Sequence, residues 1–390
     1  MPETLAHPSA LVADTIGVYV HVPFCVRRCV YCAFYSVAGA APQTLADFPG
    51  RVLTELSLRA PQWQGVRAGT VFFGGGTPSL LDPADIARLL AALQVEFPFV
   101  PGAEITLEAN PGTVTLDSLQ GYLQAGINRL SLGVQALDDE RLRFLGRVHD
   151  CAQAREALDL ARRAGFDRIS VDLIVGSPGE TAAGWDREFD LLLPLRPEGV
   201  SFYGLTVEEG TQLARRAGMG EAVHLSPDET VDLLLHAAGR LRQAGYHHYE
   251  VSNWALPGAE SRHNQHYWRR GSYLGLGPSA HSFNGRVRRW NLPDLAAYTQ
   301  ALEAGKLPPG ESETLSDEEI RTEWVYLALR QASGLNFGQY AELFGPAPPY
   351  WKAMFESLAG RGMGEFDGRA FRPNDHGLLL ADEIAARLLA

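Results

Sequence analysis

Three of the chain's four cysteines, Cys25, Cys29 and Cys32, stand within eight residues in the stretch YVHVPFCVRRCVYCAFYS. The C-x3-C-x2-C spacing lets one short loop aim three thiolates at a single centre. A closed structural zinc site would take a fourth ligand; no fourth cysteine is nearby, and His21 is the alternative donor. The other solution is an iron–sulfur cubane on three thiolates, with one iron left for an exchangeable ligand. Phe34 stands where a further cysteine would extend the run. Cys151 opens the helical pattern CAQAREALDLARRAG and reads as a small buried or half-buried residue.

A second stretch, VFFGGGTPS, places Gly74, Gly75 and Gly76 directly after a strand pattern and ahead of a helix beginning near Asp82. Glycines there let backbone approach a ligand, and in parallel α/β sheets ligands gather at strand C-termini. Further polar residues sit at or near later strand ends: Glu108 in EITLEANP, Gln135 after LSLGV, Arg147 in LGRVHD and Asp172 in ISVDLIVG. Taken singly, each could equally be a cap or a surface residue. The run HNQHYW (263–268) could likewise be a packed aromatic cluster around a hydrogen-bonded histidine.

The elements that must position these groups alternate. Strand patterns at 15–22, 69–75, 103–109, 127–134, 167–176 and 198–207 are separated by segments with apolar residues at helical spacing, such as Ile86, Leu89, Leu90 and Leu93. This alternation predicts an α/β fold with a parallel sheet and right-handed crossovers, either partly closed into a barrel or open. A helix is expected over 228–243, and 246–292 is rich in His, Gly and aromatic residues. After the stretch GKLPPGESETLSD, a helix capped by Ser316 opens a small helical or winged-helix module. The expected division is a tail at 1–14, a barrel core at 15–245, a His/aromatic-rich segment at 246–310 and a small domain at 311–390.

Composition narrows the class. The net charge of −12 argues against non-specific nucleic-acid binding, which needs a basic face. No signal-like apolar run opens the chain, and no run of 18 apolar residues occurs in it. Four cysteines in 390 residues do not make a disulfide framework, so a cytoplasmic, reducing setting is expected.

The loop CVRRCVYC, with Tyr31 before its third cysteine, resembles the cluster motif of the radical S-adenosylmethionine (SAM) superfamily. GGGTP resembles one form of that superfamily's glycine motif, with Thr77 in place of its acid. YVHVPFC, FFGGGTPS, LEANPGT, RLSLGVQ, LGRVH, VDLIVGSPGET, LTVEEGT, YEVSNWA and HNQHYW follow one another as in oxygen-independent coproporphyrinogen III oxidase and its relatives, the HemW-type haem chaperones. The resemblance implies a partial (β/α)6 barrel with a smaller, mainly helical C-terminal domain. It implies a [4Fe–4S] cluster on Cys25, Cys29 and Cys32. It also implies SAM on the open iron, contacted by Tyr19, Tyr31, Gly75, Gly76, Thr77, Glu108, Gln135, Arg147 and Asp172.

HNQHYW matches the HNxxYW signature of the haem-chaperone branch. That implies haem contacts from His263, Asn264, Tyr267 and Trp268, with His263 the candidate axial ligand and His266 a competitor. His21, His247, His248 and His281 are further histidines in motif-rich stretches. The oxidase motif carries a further cysteine, C-x3-C-x2-C-x-C, and a long extension ahead of it. Here Ala33 and Phe34 follow Cys32, and 24 residues precede Cys25. These departures favour a chaperone that binds haem and hands it to haem proteins, respiratory enzymes among them, reaching a membrane only peripherally and without an anchor. The oxidase is the alternative, and a radical SAM enzyme for another substrate is a third. Whether the chain is an enzyme is left open by its sequence.

Overall fold

The computed structural model describes residues 15–389; the expected tail at 1–14 lies outside them. Six parallel strands form the centre: β1 (Thr15–Val22), β2 (Arg67–Gly75), β3 (Phe99–Ala109), β4 (Arg129–Gln135), β5 (Ile169–Val175) and β6 (Gly199–Gly204). They pair in chain order. Between them run α1 (Pro42–Arg59), α2 (Pro83–Glu96), α3 (Leu116–Ala125), α4 (Cys151–Ala164) and α5 (Ala182–Leu192), and α6 (Pro227–Gln243) follows β6.

Period-2 alternation sorts each strand between two environments. Ile16, Val18, Val20 and Val22 of β1 are fully buried in the same core as Phe48, Val52 and Leu56 of α1. Gly17, Tyr19 and His21 alternate with them. A side chain at Gly74 would meet Phe72, Tyr19 and Glu108, so these residues share the concave interior. Local signals fix the helix ends. Capping boxes at Thr115/Ser118 and Asp150/Gln153 start α3 and α4, and left-handed Gly126 and Gly165 end them.

The sheet does not close. It gains β7 (His247–Glu250) and β8 (Asn253–Ala255) beyond β6, and β9 (Tyr273–Leu276), β10 (His281–Phe283), β11 (Val287–Asn291) and β12 (Gly310–Thr314) beyond β1. The order is β12-β11-β10-β9-β1-β2-β3-β4-β5-β6-β8-β7. β9 pairs with β1 in parallel, and Leu274, Leu276, Tyr298 and Leu302 join the main core. The strands within residues 246–310 therefore continue the sheet of the barrel. These short strands and their glycine-rich turns carry too little periodicity to announce it.

Helix α7 (Arg262–Trp268) fills the barrel interior at the N-terminal ends of the strands. Its first turn is held by Glu104 of β3, which accepts the backbone N–H of Arg262 at 3.1 Å and of His263 at 2.9 Å. Beyond it, helix α8 (Asp317–Leu329) opens a C-terminal unit with its own core of Val325, Leu329, Tyr340, Trp351, Phe355 and Phe371. Helices there pack with a three-stranded antiparallel sheet formed by residues 335–336, 370–373 and 364–366.

Candidate functional site

At the C-terminal ends of the strands opens a cavity of about 670 Å³. The loop after β1 brings Cys25, Cys29 and Cys32 to one wall of it, all half-buried and free. The loop is tied down from outside the site. Arg27 donates to the carbonyls of Gly146 and Arg147 at 2.7 and 2.8 Å, and Phe24–Cys25 pairs with Val37–Ala38. The glycine run is required by this chain's own packing. A side chain at Gly75, whose φ is +109°, would come within 2.6 Å of the His21 ring, and one at Gly76 within 2.6 Å of the Phe24 carbonyl oxygen.

A hydrogen-bond chain links two of the thiols. Arg147 Nη1 donates to Cys29 Sγ at 3.1 Å, and its Nη2 donates to Gly133 O at 2.7 Å and to Asn110 Oδ1. The Asn110 amide donates to Thr77 Oγ1 at 2.9 Å, and Thr77 in turn donates to Cys25 Sγ at 3.6 Å. The two ends of this chain, Arg147 Nη1 and Thr77 Oγ1, both donate to sulfur. Burial pushes the Cys25 and Cys32 thiols up, with the Thr77 hydroxyl opposing it at Cys25 and the Phe34 backbone N–H at Cys32. Burial by itself would also lower the Arg147 pKa, but Tyr31 and Cys29 beside it more than reverse this, so the guanidinium stays charged.

Across the cavity stand two carboxyls. Glu108 accepts the Gly75 N–H at 3.1 Å, and burial together with the nearby Asp172 raises its pKa to about 8. Burial raises Asp172 as well, against hydrogen bonds from Ser201 and Ser131, the latter at 3.3 Å. Two desolvated carboxyls on strand ends form a receptor for a cationic ligand.

Residues 19–192 match the family model of the radical SAM superfamily. The chain is 36% identical over 396 residues to the protein named heme chaperone HemW of Mycobacterium tuberculosis, covering all of this chain and 98% of that one. It is 38% identical over 328 residues to the heme chaperone HemW of Synechocystis, covering 82% of this chain and 79% of the relative. The chain belongs to the radical SAM superfamily, in the family of HemW-type haem chaperones. Among solved structures it is similar to coproporphyrinogen III oxidase (HemN) from Escherichia coli, a radical SAM enzyme, with a TM-score of 0.82 and 26% identity over 96% of this chain and 90% of that one.

Membership of the radical SAM superfamily implies a [4Fe–4S] cluster and SAM, and the donor set fits them. Among the described residues, no three His, Cys, Asp or Glu side chains converge on a point that one ion could fill. A zinc ion needs its sulfurs drawn to one point, whereas a cubane offers a separate iron to each thiol. Three thiols along one wall, with charged donors behind them and carboxyls opposite, suit the cluster and a sulfonium ligand.

Tyr31, Gly75, Gly76, Thr77, Glu108, Gln135, Arg147 and Asp172, expected at the SAM site of a radical SAM protein, all line this cavity. Thr77 and Arg147 reach cysteine sulfur directly. Tyr19 does not line this cavity: its hydroxyl lies 3.1 Å from His21 Nδ1, and the ring lines a second cavity of about 550 Å³.

The HNxxYW residues, expected at haem, lie elsewhere. His263 is 1% exposed, with Nδ1 2.7 Å from Thr70 Oγ1 and Nε2 2.8 Å from the Tyr267 hydroxyl. Burial, with His266 alongside, lowers its pKa to about 3. Both ring nitrogens of His263, expected as the axial ligand, thus have hydroxyl partners inside the barrel. His266 is engaged as well, with Nε2 2.7 Å from Ser272 O. Of the motif, Tyr267 alone lines the second cavity; Asn264 and Trp268 line neither.

Asn110 escaped the sequence reading. It stands two residues beyond Glu108, on the same side of the chain as it leaves β3, and that i, i+2 spacing was the available signal. Cys151 is half-buried at the start of α4, as its sequence context implies.

Proposed function

We propose that this chain is a haem chaperone that carries a [4Fe–4S] cluster on Cys25, Cys29 and Cys32, binds SAM in the first cavity, and holds haem for transfer to haem-accepting proteins. The observation that carries this reading is the full-length similarity to heme chaperone HemW. Phe34 adds to it: the ring is 69% exposed and stands between the two cavities, in the position where the oxidase motif has a cysteine.

When bound, the cluster would supply an electron and an open iron site for SAM. The chain's own residues do the rest. Arg147 and Thr77 hold Cys29 and Cys25 through donated hydrogen bonds, and Asn110 keeps those two donors in register. Glu108 and Asp172 would face the sulfonium and ammonium of SAM, whose positive charge would favour the ionised form of these desolvated carboxyls. Gly75 and Gly76 allow the closest approach of β2 to the cysteine loop.

The second reading, a coproporphyrinogen III oxidase, draws on the structural similarity to the Escherichia coli enzyme. Anaerobic, cluster-reconstituted protein with SAM and a low-potential reductant separates the two. The chaperone reading expects saturable haem binding and no decarboxylated product from coproporphyrinogen III; repeated turnover of that substrate would establish the oxidase. Among the described residues no helix is long and apolar enough to cross a membrane, so delivery to a membrane-bound acceptor would run through protein contacts.

A further inference from the structure

The second cavity lies between the cysteine loop and the β9–β10–β11 extension of the sheet, and Ala33 and Phe34 line both it and the first cavity. Its wall is largely aromatic, from Tyr19, Tyr35, Tyr267, Tyr273 and Phe283. Tyr267 meets Tyr273 edge-on at 4.6 Å, and the Tyr267 hydroxyl is turned away to His263, so the rings offer the cavity apolar surface. At about 550 Å³ it falls within the range of ~300–1,000 Å³ typical of ligand-sized cavities.

Two guanidiniums line one side. Arg270 donates to Glu323 at 2.6 Å, and Arg288 donates to the same carboxylate and to Glu313 at 2.8 Å. Two guanidiniums are thus set against two acids, of which Glu323 lines the cavity and Glu313 does not, so a balanced ion-pair network places both cations beside an aromatic surface. A flat apolar ligand bearing carboxylates is the chemistry this wall accepts, and guanidinium–carboxylate pairing would fix its edge.

The histidines on this wall are His21 and His281. His21 is committed, with Nδ1 3.1 Å from the Tyr19 hydroxyl and Nε2 3.0 Å from Tyr35 O. His281 opens β10, stacks on Trp290 at 5.6 Å and makes no side-chain hydrogen bond among the described residues. The hairpin that presents it is closely packed. A side chain at Gly275 would come within 2.0 Å of the His281 carbonyl oxygen, so the glycine of β9 and the backbone of β10 interlock. Burial, and the nearby Arg288, lower the His281 pKa, so its imidazole is neutral and able to ligate near pH 7.

We propose that haem sits in this second cavity and that His281 supplies the imidazole to its iron, with Arg270 and Arg288 facing the propionates. The inference rests on the haem-chaperone reading and moves the iron ligand from the HNxxYW helix, inside the barrel, to the hairpin of β9 and β10. Tyr267 then contributes an aromatic wall, and His263 positions Tyr267 from behind.

The test is a ferric-haem titration of cluster-reconstituted, full-length protein, read at the Soret band, for wild type, His281→Ala and His263→Ala. Wild type is expected to saturate with a histidine-ligated spectrum. His281→Ala should shift the Soret band and weaken binding by about tenfold or more, the size of loss seen when even an outer partner of a metal ligand is removed. Added imidazole should restore the wild-type spectrum in His281→Ala, which a merely structural defect would not permit. If His281→Ala titrates and absorbs like wild type, the His281 assignment is overturned while the chaperone reading stands. If wild type shows no saturable haem binding, the chaperone reading itself fails and the inference with it.

Discussion

Arg147 Nη1 lies 3.1 Å from Cys29 Sγ, and the same guanidinium bonds Asn110, whose amide holds the threonine that donates to Cys25. A single buried cation thus sets the charge environment of two of the three thiols. Arg147→Met should leave the fold intact, since the loop is also anchored by Arg27, but weaken cluster retention by about 10- to 100-fold, as loss of outer-shell partners does. Iron and sulfide content after gel filtration under chelator reports it. Asn110→Ala should show a smaller loss in the same direction.

The cluster cysteines and Cys151 separate cleanly. Alanine at Cys25, Cys29 or Cys32 should abolish the broad iron–sulfur absorbance after reconstitution. Cys151→Ala, at the start of α4 and outside the cavity, should keep wild-type iron content.

Glu108 gives a pH signature with a definite sign. Its folded pKa, about 8, lies above the ordinary 4.5, so the folded chain binds a proton that the unfolded chain has released. Stability from this group is fully present below about pH 4.5 and is lost as pH rises toward 8, at no more than about 1.4 kcal/mol per pH unit. Denaturation midpoints of Glu108→Gln should fall less steeply over that window than wild type. SAM, being cationic, favours the ionised carboxyl, so wild-type SAM affinity should rise with pH up to about 8 and the Gln variant should lack this rise.

His263→Ala tests the structural assignment of the HNxxYW helix. It leaves the buried Thr70 hydroxyl without its partner and should cost about 1–3 kcal/mol of stability. The haem spectrum of the surviving folded fraction should match wild type.

Gly76→Ala tests the fit of β2 to the cysteine loop. The added carbon would stand 2.6 Å from the Phe24 carbonyl oxygen and 3.0 Å from two further backbone atoms of Phe24, with no flexible side chain to yield. A loss of about 1–3 kcal/mol is expected from such overpacking, with impaired cluster assembly because Cys25 is the next residue. Thermal melts and iron content check it together.

Much of this was readable in the chain. The C-x3-C-x2-C loop, the glycines after β2 and the polar strand ends all fall on one cavity because strand alternation and parallel topology bring them there. The sheet's further strands were not readable. β7 to β10 have three or four residues each, too few for a period to register, and what joins them to the barrel, β8 to β6 and β9 to β1, is pairing between residues far apart in the chain. The placement of HNQHYW was not readable for a related reason. Its histidines and aromatics have ligand chemistry, but which end of the barrel the helix enters depends on Glu104, 159 residues away from His263, accepting the first turn. His281 carried no local motif, and its position follows from its pairing opposite Trp290 and the close packing of Gly275 on its backbone.

The most direct test of the central claim is anaerobic haem stoichiometry on cluster-reconstituted protein, with coproporphyrinogen III and SAM offered to the same preparation. The account predicts saturation at one haem per chain and no decarboxylated porphyrin. Repeated conversion of coproporphyrinogen III, with no saturable haem binding, would contradict it.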